Sequence, residues 1–249
     1  MGNVDNLKTK LNEFYPKLNA IKDRNKLSNH KTYYGYNILS NIEHSSSILE
    51  NNLNIFVNSN SIADIGCADG DLAFFLEYLY PDKEYICIDH PDYNWNGMDG
   101  IKKLKSKLRS KITIVEKDID EQEPLDKEVD LTILLGLLYH IKNPISLMQK
   151  LNNKSKYILF STRITHYTPD LKHNISDYSL AYFPTSTEIN NDPTNWWIFT
   201  ESCLEKIFER THWNIVCKQI VGEEKKSTPD DPHKDCRYFC LLKNKKHDR

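Results

Sequence analysis

The stretch Ile62-Ala63-Asp64-Ile65-Gly66-Cys67-Ala68-Asp69-Gly70-Asp71 constrains the fold more than any other part of the chain. An apolar run ends in an acid and a turn of small residues, and the helical pattern Leu72 to Leu79 follows at once. Strand, tight turn and helix in that order open a doubly wound α/β domain, whose ligands bind beyond the carboxyl ends of the strands. Gly66 and Gly70 let the backbone turn sharply and come close to a ligand. The dinucleotide fingerprint G-x-G-x-x-G is not met, because Ala68 and Asp71 occupy its second and third glycine positions. A generic βαβ unit whose glycines serve packing is the plain alternative.

A second apolar strand, Glu84 to Asp89, also ends in an acid, where a carboxylate can accept both ribose hydroxyls of a nucleoside. Further strands are expected at Lys111–Val115, Asp130–Leu135, Lys156–Thr162, Asn214–Val221 and Arg237–Leu242. The result is a seven-stranded, mostly parallel, doubly wound sheet closed by an antiparallel hairpin. Pro144 marks a helix start and Thr200 a helix N-cap. Helical periodicity over Val4–Leu18 and Ile38–Phe56 makes residues 1–60 an N-terminal helical cap on the domain 61–242. The aromatic run His30–Tyr36 reads as packing, and Trp95 or Met98 follows the ribose acid on a turn-rich loop. Residues 163–199 are long, polar and aromatic and are expected to form a lid, while the basic tail 243–249 frays.

With 33 basic and 35 acidic residues, the net charge of −2 provides no global field for nucleic acid. No apolar run approaches the roughly 18 residues of a membrane span and no signal-like N-terminus is seen, so a soluble cytoplasmic protein is expected. The six cysteines form no C-x-x-C pair and are expected to be reduced thiols.

The pattern Asp64-x-Gly66-x-Ala68-x-Gly70, paired with Asp89, resembles motif I and the ribose acid of the class I S-adenosyl-L-methionine (SAM) methyltransferases. The resemblance covers about residues 61–242 and implies SAM as cofactor. It places Asp64, Gly66, Cys67, Ala68, Asp69 and Gly70 around the donor, with Asp89 and His90 at the ribose. Asp118 is implied at the adenine amino group and Ile119 over the ring, with Asp120 a competitor. Leu135 and Gly136, at the end of the fourth strand, complete the implied cofactor set. Two stretches, Gly136-Leu137-Leu138-Tyr139-His140 with Asn143-Pro144 and Asn195-Trp196-Trp197-Ile198-Phe199, resemble the branch containing the tRNA wobble-uridine carboxymethyltransferase. That enzyme's donor is carboxy-SAM. Tyr139 and Arg237 match two of the three residues that hold its extra carboxylate; the third, a lysine, has no match by motif, with Lys26 and Lys31 both nearby. The near-neutral charge argues against tRNA, and with the third residue unplaced ordinary SAM is the expected donor.

A sulfonium donor already activates its methyl group, so the protein must mainly position an acceptor and exclude water. A base is needed only where the acceptor loses a proton. His140 is the first candidate and His166 the second, with Tyr139 lining the transfer site. His166, Asn195, Trp196 and Arg237 are the expected acceptor contacts. His166, His173, Asp170 and Asp177 match no metal-ligand spacing, so no metal is expected. The expected function is methyl transfer from SAM to a small-molecule or carrier-linked acceptor, without nucleic acid or membrane. The alternatives are tRNA modification with carboxy-SAM and a catalytically silent Rossmann-like binding subunit.

Overall fold

Apolar runs that end in acids become parallel strands whose acids gather at one edge of the sheet. The computed structural model describes residues 4–35, 44, 46–223, 226–231 and 233–247. The expected helix start at Ile38, Tyr36 of the aromatic run and the last two residues of the basic tail lie outside them. The chain divides into two compact units, residues 1–124 with 129–133, and residues 125–128 with 134–249.

In the first unit, β1 (Ser61–Ile65), β2 (Glu84–Asp89), β3 (Thr113–Glu116) and β4 (Val129–Leu135) lie in the order β3-β2-β1-β4. All three pairings are parallel, with Asp64 opposite Cys87 and Asp89 opposite Glu116. Ile62, Ala63, Ile65, Cys87 and Ile88 are fully buried, as expected for strands covered on both faces. Among the described residues four helices accompany these strands: α1 (Val4–Arg24), α2 (Ser46–Asn58), α3 (Asp71–Leu79) and α4 (Asp99–Leu108). Leu7, Leu11, Phe14 and Leu18 form the buried stripe of α1, at the spacing of one helix face. Phe14 meets Phe75 and Tyr78 of α3, with ring centroids 5.6 and 5.2 Å apart. Lys22 of α1 and Asp71 at the start of α3 form a buried ion pair of 2.6 Å.

The second unit is built on β5 (Ser155–Ile164), which pairs antiparallel with β9 (Cys236–Asn244). In turn β9 pairs antiparallel with β8 (Trp213–Gly222). This is the closing hairpin expected from the sequence. Within the expected lid, β6 (Ala181–Tyr182) and β7 (Ile198–Phe199) form two short strands. β7 runs parallel to β5 through Ile164 and Phe199, and β6 is antiparallel to β7. The ends of the 163–199 segment are therefore knitted to the sheet. A 3-10 turn, Leu138–His140, precedes α5 (Pro144–Asn152), and α6 is Glu201–Arg210. Pro144 begins α5 behind an Asn143 cap, and the Thr200 hydroxyl accepts from the backbone N–H of Cys203 to cap α6. Phe160, Phe208, Tyr238 and Phe239 fill the core of this unit. The fold is α/β, with a mostly parallel central sheet whose last strands are antiparallel.

Candidate active site

The turn after β1 is left-handed at Gly66, Ala68 and Gly70, with φ of 76°, 49° and 78°. A side chain at Gly70 would also meet Ile101 of α4 at 2.8 Å, so this position needs glycine for both backbone and space. Gly66 donates its backbone N–H to Ile88 of β2 at 2.8 Å, which fastens the turn to the neighbouring strand. Beneath it the free thiols of Cys67 and Cys87 are buried and hydrogen-bonded to each other. Burial adds to that contact in holding Cys67 as a thiol.

Three acids surround this turn. Asp89 accepts from the backbone N–H of Ala68 at 2.8 Å and of His90 at 2.8 Å, and from the Asn94 amide at 3.0 Å. Its Oδ2 takes two of these donors and its Oδ1 only one, so Oδ1 retains capacity for a further hydroxyl. Asp64 is buried, and no donor to its carboxylate is found among the described residues. Desolvation, with repulsion from Asp89, pushes its pKa up to about 7. Asp69 is fully buried and accepts from the backbone N–H of Tyr34 at 2.5 Å and from the Asn96 amide at 2.7 Å. The same Asn96 amide reaches the carbonyl of Thr32 at 3.3 Å. Trp95 Nε1 donates to the Thr32 hydroxyl at 3.2 Å, and the Tyr34 and Trp95 rings lie 6.1 Å apart. A strap of residues 32–34 is thus hung on the turn. Gly100 makes room for it, since a Cβ there would lie 1.9 Å from Asp69 Oδ1. Farther along the edge, His90 Nε2 is 3.5 Å from Asp118, and the rings of His90 and Tyr93 are 4.4 Å apart.

The second unit carries its own cluster on the 3-10 turn after β4. Gly136, with φ of 67°, donates its N–H to the Ser161 carbonyl at 2.9 Å, and Arg237 Nη1 lies 3.5 Å from where its Cβ would stand. Arg237 is hydrogen-bonded to Tyr139 and donates from Nε to Asp235 at 2.9 Å. Asp235 also faces the buried Arg163, with 3.4 Å between Nε and Oδ1. Burial raises the Tyr139 hydroxyl, and Arg237 opposes that shift. The Tyr139 and His140 rings are 4.1 Å apart. His140 Nδ1 lies 2.8 Å from the Thr194 hydroxyl and 3.2 Å from the Thr194 carbonyl, with Asp192 Oδ2 at 4.0 Å. Burial holds the imidazole below its ordinary value, with Asp192 opposing. The backbone N–H groups of Trp196 and Trp197 donate to the Tyr139 carbonyl at 2.8 and 3.3 Å, which binds the lid segment to this turn. Phe183 meets Trp197 and Trp196, at 5.2 and 6.0 Å between centroids.

The methyltransferase domain family matches residues 34–218. The chain belongs to this family. No curated protein sequence matches the chain. Among solved structures, it is similar to the N-terminal domain of EvdMO1 in the presence of SAH (S-adenosylhomocysteine) and D-fucose, at TM-score 0.59 and 12% identity, covering 94% of this chain and 96% of that one. An S-adenosylmethionine-dependent methyltransferase from Clostridium acetobutylicum matches at TM-score 0.54 and 13% identity, over 81% of this chain and 91% of that one. Magnesium protoporphyrin IX methyltransferase from Synechocystis, with bound SAH, matches at TM-score 0.53 and 15% identity, over 82% of each chain. At these identities the likeness speaks for the fold.

Of the residues singled out in the sequence of this methyltransferase, Asp64, Gly66, Cys67, Ala68, Asp69, Gly70 and Asp89 share one turn and its neighbouring strand end. Asp69 accepts from the strap at Tyr34 and from Asn96, one donor on each oxygen. His90 and Asp118 meet each other, whereas Ile119 is half-buried beside Asp118. Leu135 ends β4 and Gly136 follows it, and Tyr139, His140 and Arg237 cluster as described. His166 stands apart from them. It lines a polar cavity of about 560 Å³ with Asp177, Glu201, Glu205 and Lys218. That cavity is on the other face of the β5–β9 pair, since its Glu205 accepts from Tyr238 and side chains alternate along β9 between Arg237 and Tyr238. Asn195 is buried, and its amide reaches the carbonyls of Ile189 and Asp192 within its own turn. Trp196 is half-buried beside Phe183. Sequence reasoning missed Asn94, Asn96, Thr194, Asp192 and the Tyr34 backbone. None of these belongs to a motif.

Among the described residues no helix is long and apolar enough to cross a membrane.

Proposed function

We propose that the chain is a SAM-dependent methyltransferase that transfers a methyl group to a small-molecule or carrier-linked acceptor. The observation that carries this reading is the glycine turn held against Asp89, beside the unpaired, buried carboxylate of Asp64. Left-handed Gly66 and Gly70 bring bare backbone to the strand end, and Asp89 Oδ1 can still accept a ribose hydroxyl. Two carboxylates at neighbouring strand ends suit a cationic ligand, and SAM carries a sulfonium and an ammonium group. The donor supplies an activated methyl group and leaves as a neutral thioether. The protein residues hold and orient: Asp64 and Asp89 on the donor side, and Tyr139, His140 and Trp196 on the acceptor side. Of the solved structures named above, two were determined with SAH and a third is a SAM-dependent methyltransferase, and one of them was determined with a sugar, in keeping with a small polar acceptor. The test is calorimetry with SAM and SAH, together with the melting temperature, which a ligand selective for the folded state raises. No heat and no shift at millimolar SAH would overturn the reading.

Carboxymethyl transfer from carboxy-SAM is a second reading, favoured by the bond between Tyr139 and Arg237. Against it, Asp235, shared between Arg237 and Arg163, already offsets part of the Arg237 charge. Competitive titration decides between the donors. The expected result is SAM binding at least as tightly as carboxy-SAM, with little effect of Arg237→Leu.

A further inference from the structure

The hydrogen bonds around His140 fix which of its nitrogens carries the proton. The Thr194 carbonyl, 3.2 Å from Nδ1, can only accept. The Thr194 hydroxyl has one proton, and it points to Asp192 Oδ1 at 2.5 Å; Oδ1 also accepts from the Thr194 backbone N–H at 2.9 Å. Toward His140, at 2.8 Å, that hydroxyl must therefore accept. Both partners demand Nδ1–H, so the neutral ring presents its lone pair on Nε2. Among the described residues no hydrogen bond engages Nε2, and the side chain is 25% exposed. Asp192 Oδ2, at 4.0 Å, is placed to stabilise the imidazolium once a proton arrives.

The other groups facing the ring are Arg237, which disfavours its charge, and Tyr139, tilted by 42° with ring centroids 4.1 Å apart. Burial first, and Arg237 after it, favour the neutral imidazole, which is the form a base requires. The turn supplying Asp192 and Thr194 is itself fixed. Asn190 and Asn191 are left-handed, with φ of 56° and 51°, and Asn195 bridges two of its carbonyls.

We propose that Asp192 and Thr194 are positioning residues that hold His140 as an Nε2 base, and that the acceptor group of this methyltransferase is a hydroxyl. The proposal rests on the methyltransferase reading above. A neutral amine offers its lone pair without a base, a carboxylate is already ionised, and a thiol, with an ordinary pKa of about 8.5, ionises far more readily than an alcohol. An alcohol must lose its proton as its oxygen attacks. The acceptor oxygen bonds to the methyl carbon, the carbon–sulfur electron pair stays on sulfur, and the hydroxyl proton passes to Nε2.

The test begins with the imidazole ¹⁵N shifts of the full chain, followed from pH 4 to 9. The expected neutral form has Nδ1 protonated, and Asp192→Asn should lower the His140 pKa by about one unit, the order expected of a charge at this distance in a partly screened site. Thr194→Val removes one of the two acceptors at Nδ1 and should weaken the preference for the Nδ1–H tautomer, and Thr194→Ser should restore it. With SAM and a panel of hydroxyl, amine and thiol acceptors, Asp192→Asn should lower kcat about ten- to a hundredfold and leave KM and SAH affinity unchanged, with its pH–rate limb displaced. Nε2 protonated in the unsubstituted protein, or a pKa unmoved by Asp192→Asn, would overturn the positioning role. Turnover of amines but not hydroxyls would overturn the acceptor class. If SAH does not bind the unsubstituted protein, the methyltransferase reading fails by itself, and the nitrogen shifts still decide the tautomer. The wild-type spectrum needs no variant to fold.

Discussion

Asp64 gives the sharpest test, because its carboxylate is buried without a hydrogen-bond donor and stands next to a second acid. Its pKa rises from an ordinary 3.8 to about 7, through desolvation first and Asp89 second. Between those values the folded chain binds more protons at this site than the unfolded chain, so the site's contribution to stability falls as pH rises through that window. A shift of about three units corresponds to about 4 kcal/mol as an upper bound, fully expressed above pH 7. Asp64→Asn removes the titration and keeps the shape. Its amide leaves polar atoms unpaired at a cost of roughly 1–3 kcal/mol, but that cost does not vary with pH. The stability difference, variant minus wild type, should therefore climb by up to about 4 kcal/mol from pH 4 to pH 8. Urea denaturation at half-unit pH steps reads it directly, and a ligand-free sample keeps donor binding out of the comparison. A difference that stays flat across the range would show that Asp64 is solvated or paired, and the electrostatic account of the site would fail.

Asp89→Ala removes the acceptor for Ala68, His90 and Asn94, and SAH affinity by calorimetry should fall about ten- to a hundredfold. Lys22→Met leaves Asp71 buried without its cation and should cost roughly 3–5 kcal/mol in chemical denaturation; adding Asp71→Asn should recover most of the loss. Gly100→Ala would set a methyl against Asp69 Oδ1, and loss of about 1–3 kcal/mol with faster amide exchange at Tyr34 is expected. Unchanged exchange at Tyr34 would show that the strap is held elsewhere.

The parallel strands were legible because burial on both faces writes itself as short apolar runs, and the turn after β1 because two glycines stand where φ is positive. Pro144 and Thr200 announced their helices for reasons of local chemistry alone. Two-residue strands such as β6 and β7 have no pattern to read, since alternation needs several residues. His140 was legible as a histidine in a telling place. Its partners were not, because Asp192 and Thr194 lie in a polar stretch more than fifty positions away, and only tertiary folding brings them to Nδ1. Asn195 and His166 show the converse limit. Both are polar residues in suggestive company, and the fold turns one toward its own loop and the other to the opposite face of the sheet.

The strap over the glycine turn is gripped at a backbone N–H, that of Tyr34, and a backbone carbonyl, that of Thr32. Every amino acid offers the carbonyl, and all but proline offer the N–H. Changes at Thr32 or Tyr34 would forfeit the Trp95 contacts but leave these two backbone bonds, whereas proline at position 34 removes one of them outright. Asp69, Asn96 and Gly100 have no such liberty, since a carboxylate, an amide and a missing side chain do the gripping. Two such segments could differ at every letter and still close over the same turn.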